Sequence, residues 1–107
     1  MRFYNHLLET LDREQLRESQ NERLRSLASE LAANQFYQQK AAAVGVELRR
    51  IVRAEDLRYL PFTTKAELVE EQAANPPFGR LLTYPLSRYR YFHQTSGTTG
   101  RPLKWLD

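Results

Sequence analysis

The chain reads as an α/β protein, with a mainly helical stretch over residues 1–80 and a strand–loop–strand unit over residues 88–107. Three features predict this. Leu16, Leu24, Leu27 and Leu31 recur at helical spacing with Ala28 and Ala32 beside them. Thr64 and Glu67 stand three residues apart, as at a helix start. Tyr89, Tyr91 and His93 alternate with Arg90, Phe92 and Gln94 directly ahead of a stretch rich in Ser, Thr and Gly.

The first helix is expected from about Asp12 to Ala33. Asp12 is a side-chain acceptor for the free N–H groups of the first turn, and Gln15 stands three residues on, as in a capping box. Arg17, Glu18, Glu22, Arg23 and Arg25 fall mostly off the leucine stripe, so the helix is amphipathic. Asn34 interrupts it and re-caps a second, shorter helix, which Gly45 ends in a left-handed conformation. Val46 to Val52 is too short and mixed to classify. Ala54 to Leu57 forms a single helical turn that stops before Pro61, because the residue ahead of a proline is pushed out of the helical region. A third helix runs from Thr64 to about Gln72, with Phe62 placed to staple onto Leu68. Asn75-Pro76-Pro77-Phe78-Gly79 breaks the chain and Tyr84-Pro85 turns it again before the strand at Arg88 to Gln94.

Composition narrows the function classes. A chain of 107 residues holds one small domain and not two complete ones. With 41% hydrophobic and 27% charged residues it is an ordinary globular sequence. The 16 Lys and Arg outnumber 13 acids by only three, and the two signs are mixed from Glu9 to Glu71, which describes solvated helix faces and not the segregated basic face of a nucleic-acid binder. There is no cysteine, hence no disulfide framework, thiolate metal site or cysteine nucleophile. The start, Met1 to His6, leads into acidic and basic residues and not into an apolar h-region, and no apolar run approaches the roughly 18 residues of a membrane span, so a cytoplasmic protein with no membrane or nucleic-acid partner is expected.

Chemistry concentrates in Thr95-Ser96-Gly97-Thr98-Thr99-Gly100-Arg101-Pro102, which follows the strand. Two glycines let a backbone approach an anion closely through positive φ, so that successive N–H groups point at phosphate oxygens. Hydroxyls donate to the same oxygens or ligate Mg²⁺, and Arg101 neutralises charge through paired donors. By residue type alone, a flexible polar hairpin loop is the commoner occurrence of such a stretch. The spacing is not that of the GTPase loop, for Pro102 stands five residues past Gly97, and no G-x-G-x-x-G is present. Elsewhere the bland readings lead. His93 is a strand histidine packed beneath a loop, or else lines an acyl or nucleotide pocket. Tyr89 and Tyr91 belong to a half-buried strand and not to an RNA-stacking surface.

Thr-Ser-Gly-Thr-Thr-Gly-x-Pro resembles the signature loop of adenylate-forming enzymes: acyl-CoA synthetases, luciferases and peptide-synthetase adenylation domains. Many of them place a basic residue right after the proline, where this chain has Leu103, with Lys104 next. That departure is tolerated in the phenylacetate-CoA ligase branch, which the rest of the chain also resembles. Glu9-Thr10-Leu11, Arg13-Glu14-Gln15-Leu16, Leu24-Arg25-Ser26-Leu27, Phe36-Tyr37, Gly45-Val46, Leu57, Leu60 to Lys65, Leu68 and Pro77-Phe78-Gly79 occur in that branch's order and approximate spacing, as does His93 ahead of the loop.

The resemblance implies an N-terminal helical segment plus the first strand–phosphate loop–strand of an AMP-binding large domain, truncated. It implies activation of a small carboxylic acid, aryl or otherwise, by ATP and Mg²⁺, followed by transfer of the acyl group to coenzyme A. It implies that Thr95, Ser96, Gly97, Thr98, Thr99 and Gly100 hold the β- and γ-phosphates, with Arg101 where relatives often carry lysine. The adenine and ribose pocket, the acidic magnesium ligand, the hinge and the lysine of the small C-terminal domain lie downstream in the family. The 107 residues alone are therefore expected to be inactive, with catalytic residues unknown and no metal ligand among them. The alternatives are a non-catalytic phosphate-binding or interaction module, and an adenylating relative that transfers to an acceptor other than CoA.

Overall fold

The structure, a computed structural model, describes residues 1–96 and 100–107. In chain order it has α1 (His6–Glu9), α2 (Arg13–Leu31), α3 (Gln35–Ala43), 3-10 turns at Leu48–Arg50 and Ala54–Tyr59, α4 (Lys65–Ala74), a 3-10 turn at Leu86–Arg88, and strands β1 (Phe92–Gln94) and β2 (Lys104–Leu106). It is a helical chain carrying one small two-stranded antiparallel sheet among the described residues.

The helix ends follow the local chemistry. Asp12 accepts from Gln15 N at 2.8 Å while the Gln15 side chain accepts from Asp12 N at 3.1 Å, the reciprocal box that satisfies two otherwise free donors of α2. Thr64 and Glu67 do the same for α4. At the end of α3, Gly45 N–H bonds Ala42 O, Val46 N–H bonds Ala41 O, and Gly45 sits at φ 74°, a Schellman ending that a side chain would strain. The four-residue α1 lies outside the expected elements; Asn5 caps it by accepting from Leu8 N. The hydrophobic staple is absent, because Phe62 is 96% exposed and does not cover Leu68.

Small residues bring the helices together. Ala28 of α2 and Ala41 of α3 are buried with Leu48 and Ile51, and α2 packs on the turns at Leu48–Arg50 and Ala54–Tyr59. Leu24 and Leu31 are half-buried, whereas Leu16 and Leu27 of the same stripe are exposed. Asn34 fixes the junction between α2 and α3. Buried to 1% exposure, it accepts from Tyr37 N as the cap of α3 and donates to Leu81 O at 2.7 Å and Thr83 Oγ at 3.1 Å. The cap thereby ties the helices to the segment that leads into the sheet.

The expected strand at Arg88 to Gln94 is shorter than its alternation suggests. Leu86–Arg88 is a 3-10 turn, and the Tyr89 hydroxyl accepts from Thr83 N and Tyr84 N at 3.0 and 3.1 Å, so this side chain closes the preceding turn. Backbone bonding to the second strand's flank starts with Arg90 and Tyr91, whose N–H groups both donate to Asp107 O, while Tyr91 O accepts from Asp107 N.

Candidate functional site

The sheet is a pair of strands between which the Ser/Thr/Gly stretch lies in sequence. Phe92 pairs with Leu106, His93 with Trp105 and Gln94 with Lys104. Above them Thr95 closes the mouth twice: its N–H donates to Leu103 O at 2.9 Å, and its Oγ accepts from Leu103 N at 2.8 Å. Thr95 thus has a structural task in addition to any ligand role, and its O–H remains a donor. Ser96 is exposed at the entry of the loop and Gly100 and Arg101 are exposed at its exit. Gly100 has φ 143°, a conformation that side chains rarely adopt, and open space around its Cα. Gly97, Thr98 and Thr99, the centre of the sequence-derived phosphate cradle, lie outside the described residues.

His93 is half-buried and stacks on Trp105 across the strands, ring centroids 5.3 Å apart and planes 18° from parallel. Its Nε2 is 3.8 Å from the Asp107 carboxylate. It packs below the loop, within the sheet. Among the described residues neither Arg101 nor Lys104 forms a salt bridge. Arg101 and Pro102 line a cleft of about 230 Å³ together with Val69, Ala73, Pro76 and Pro77 from the end of α4.

The end of α4 supports the hairpin from below. Glu71, 8% exposed, accepts from Arg80 Nε at 2.6 Å and Nη2 at 3.0 Å, from Arg80 N at 2.9 Å and from Asn75 Nδ2 at 3.2 Å. The Arg80 guanidinium holds the Glu71 carboxyl below the usual range, outweighing the desolvation that would raise it. This buckle folds the Asn75–Arg80 turn back on α4, and Gly79 is required in it: φ is 67°, and a Cβ would stand 2.8 Å from Glu71 Cγ. Phe78 in the turn packs edge-on against Phe92 of β1, centroids 6.2 Å apart. Gln72, 7% exposed, reaches β2: its Nε2 donates to Lys104 O at 2.5 Å and its Oε1 accepts from Lys104 N at 3.0 Å. The sequence marks Pro77-Phe78-Gly79 as a breaker and gives Gln72 only as the approximate end of the third helix. The available signal was a polar residue four positions past Leu68, on the inward face of α4.

Ser96, Gly100 and Arg101 stand exposed beyond the paired strands, and Lys104 opens β2. Among the described residues no three His, Cys, Asp or Glu side chains converge, so any Mg²⁺ would be held chiefly by phosphate and water oxygens, as that ion commonly is.

No family model matches the chain. Curated relatives do. It is 38% identical over 100 residues to a phenylacetate-coenzyme A ligase of Thermus thermophilus, covering 92% of this chain and 21% of that protein. It is 35% identical over 96 residues to a phenylacetate-coenzyme A ligase of Pseudomonas putida, covering 89% of this chain and 21% of the relative. Among solved structures it superposes on 2-hydroxyisobutyryl-CoA ligase in complex with 2-HIB-AMP and CoA in the thioesterification state, with TM-score 0.79, 31% identity, and coverage of 91% of this chain and 21% of that one. An open conformation of the same ligase gives TM-score 0.77 at 29% identity over 89% of this chain and 22% of that one. By these likenesses, which take in about nine tenths of its residues, the chain is related to the phenylacetate-CoA ligases, of whose length it spans about one fifth.

Proposed function

We propose that these residues are the N-terminal part of the AMP-binding large domain of a cytoplasmic acid–CoA ligase, and that they supply its hold on the leaving pyrophosphate. In that reaction a carboxylate oxygen attacks the α-phosphorus of ATP, the bond to pyrophosphate breaks, and the acyl-adenylate then gives its acyl group to the CoA thiol with loss of AMP. The assigned task of this stretch is positioning and charge stabilisation. Ser96, Gly97, Thr98, Thr99 and Gly100 donate to the β- and γ-phosphate oxygens, Arg101 neutralises them, and Thr95 holds the mouth of the loop closed. Mg²⁺, when bound, adds charge neutralisation through the phosphates, with its protein ligand outside these residues.

The observation that carries this reading is the hairpin mouth, where Thr95 and Leu103 bring both ends of the Ser/Thr/Gly stretch together beside Arg101. It is supported by the superposition on a ligase whose solved complexes hold an acyl-adenylate and CoA. On this reading the 107 residues alone neither adenylate nor transfer, since the adenine pocket belongs to the part of the large domain that follows the loop.

The test is ATP–pyrophosphate exchange by the protein expressed from its complete reading frame, with a panel of aryl and alkyl carboxylic acids. Exchange dependent on one acid is expected, and the double substitution Thr98→Ala, Thr99→Ala should slow it by about 100-fold or more, the scale of losing oxyanion donors. An unchanged rate in the double variant would sink the loop assignment. Exchange without thioester formation from CoA would point to another acyl acceptor, and no exchange with any acid to a phosphate-binding module.

A further inference from the structure

We infer that Gln72 is a positioning residue for the phosphate loop, holding the loop's exit strand at its outer edge; the inference rests on the reading of that loop as a pyrophosphate holder. In an antiparallel pair, successive residues of one strand turn their N–H and C=O alternately toward and away from the partner. In β2 and its flanks, Leu103 and Asp107 bond across to Thr95 and Tyr91. Lys104 therefore turns its backbone away from β1, toward an edge that carries no third strand among the described residues. The Gln72 carboxamide occupies that edge as a strand would, donating to Lys104 O at 2.5 Å and accepting from Lys104 N at 3.0 Å. Its Nε2 also lies 3.4 Å from Phe78 O, in the turn that packs on β1.

Lys104 is three residues past Arg101 and one past Leu103, the partner of Thr95. A side chain from α4 thus fixes the level of the exit strand against the helix, while Thr95 fixes it against the entry strand. With Gln72 buried to 7% exposure and both polar atoms of its amide engaged, no other described group takes its place on the Lys104 backbone. Releasing it frees the exit strand to shift along α4, and displacements of about 1 Å in a positioning group cost as much as 100-fold in rate.

The experiment compares wild type, Gln72→Met and Gln72→Glu in the protein expressed from its complete reading frame. Methionine keeps the length and removes both bonds; glutamate keeps the acceptor for Lys104 N–H and removes the donor. Amide hydrogen exchange at Lys104 and Leu103 should quicken in the order wild type, Glu, Met, by about tenfold in the Met variant, the scale of losing the one bond that Lys104 N–H itself donates. The KM for ATP in pyrophosphate exchange should rise about tenfold in the Met variant while the KM for the carboxylic acid stays within about twofold. Unchanged exchange at Lys104 overturns the inference, as does a parallel rise of both KM values. If Gln72→Met does not fold, the Glu variant decides by the same two readouts. Absence of pyrophosphate exchange in wild type fells the ligase reading, whereas amide exchange at Lys104 still decides whether Gln72 holds the strand.

Discussion

The turn after α4 and the hairpin it carries are built in opposite ways. The turn is closed by one buried carboxylate, Glu71, which collects donors from Asn75 and from both the backbone and side chain of Arg80. The hairpin consists of two strands of three residues, with Tyr91, Phe92 and Trp105 64%, 56% and 46% exposed. A carboxylate accepting charge-assisted bonds in a buried place is locked, because removing any donor leaves desolvated charge behind. A short hairpin with exposed aromatics has little burial of its own and is marginal in isolation. The strands of the hairpin therefore take their support from below, from α4 and its turn.

The severest test of this contrast is Gly79→Val. The left-handed φ costs a β-branched residue on the order of 1–2 kcal/mol, and crowding against Glu71 Cγ adds a similar amount, so a loss of about 3 kcal/mol is expected in urea unfolding. Trp105 is the chain's single tryptophan and reports the hairpin, so its emission should change along with the helical circular dichroism. A Gly79→Val variant with the wild-type midpoint would show that the buckle is not rigid.

A milder substitution probes the helical side. Asn34→Ala removes the α3 cap and the bonds to Leu81 and Thr83, for an expected loss of about 2 kcal/mol. Trp105 emission in the native state should stay unchanged, since Asn34 touches neither strand; an altered spectrum would mean that the two regions are one cooperative unit.

Weakest of the three is a pH dependence. Hydrogen bonding by Lys40, then by the Thr64 backbone and hydroxyl, brings the Glu67 carboxyl down to about 2. With the folded value depressed, the contribution is complete above the unfolded carboxyl's pKa of about 4.3 and is lost as pH falls from there through about 2. Because the Glu67 side chain is 41% exposed and screened by solvent to that extent, the effect is modest. Glu67→Gln preserves the capping geometry and removes the charge, so its urea midpoint should fall less steeply than wild type over that acid range. Equal slopes would remove Glu67 from the acid-sensitive groups.

Much of this was legible locally. The Asp12–Gln15 and Thr64–Glu67 boxes, the Asn34 cap and the Gly45 ending involve partners within a few residues of each other, and each appears where the sequence places it. The loop was recognisable by residue type and order. The strand at Arg88 to Gln94 was overread, because alternation does not reveal that Tyr89 turns back to bind Thr83 and Tyr84. The Leu16 and Leu27 exposure likewise lay outside what periodicity tells, which orients a face without naming what covers it.

Where helices start and stop, where hydroxyls and glycines are concentrated, and which enzymes the chain resembles are all written in the order of its residues, since capping, turn chemistry and motif order are short-range properties. It took the folded chain to show that Asn34 reaches Leu81, that Glu71 and Arg80 close a buckle over Gly79, and that Gln72 holds the Lys104 backbone 32 residues away. Those pairings depend on where separate segments meet in space, and a side-chain amide or carboxylate carries no mark in the sequence of the distant backbone it will satisfy.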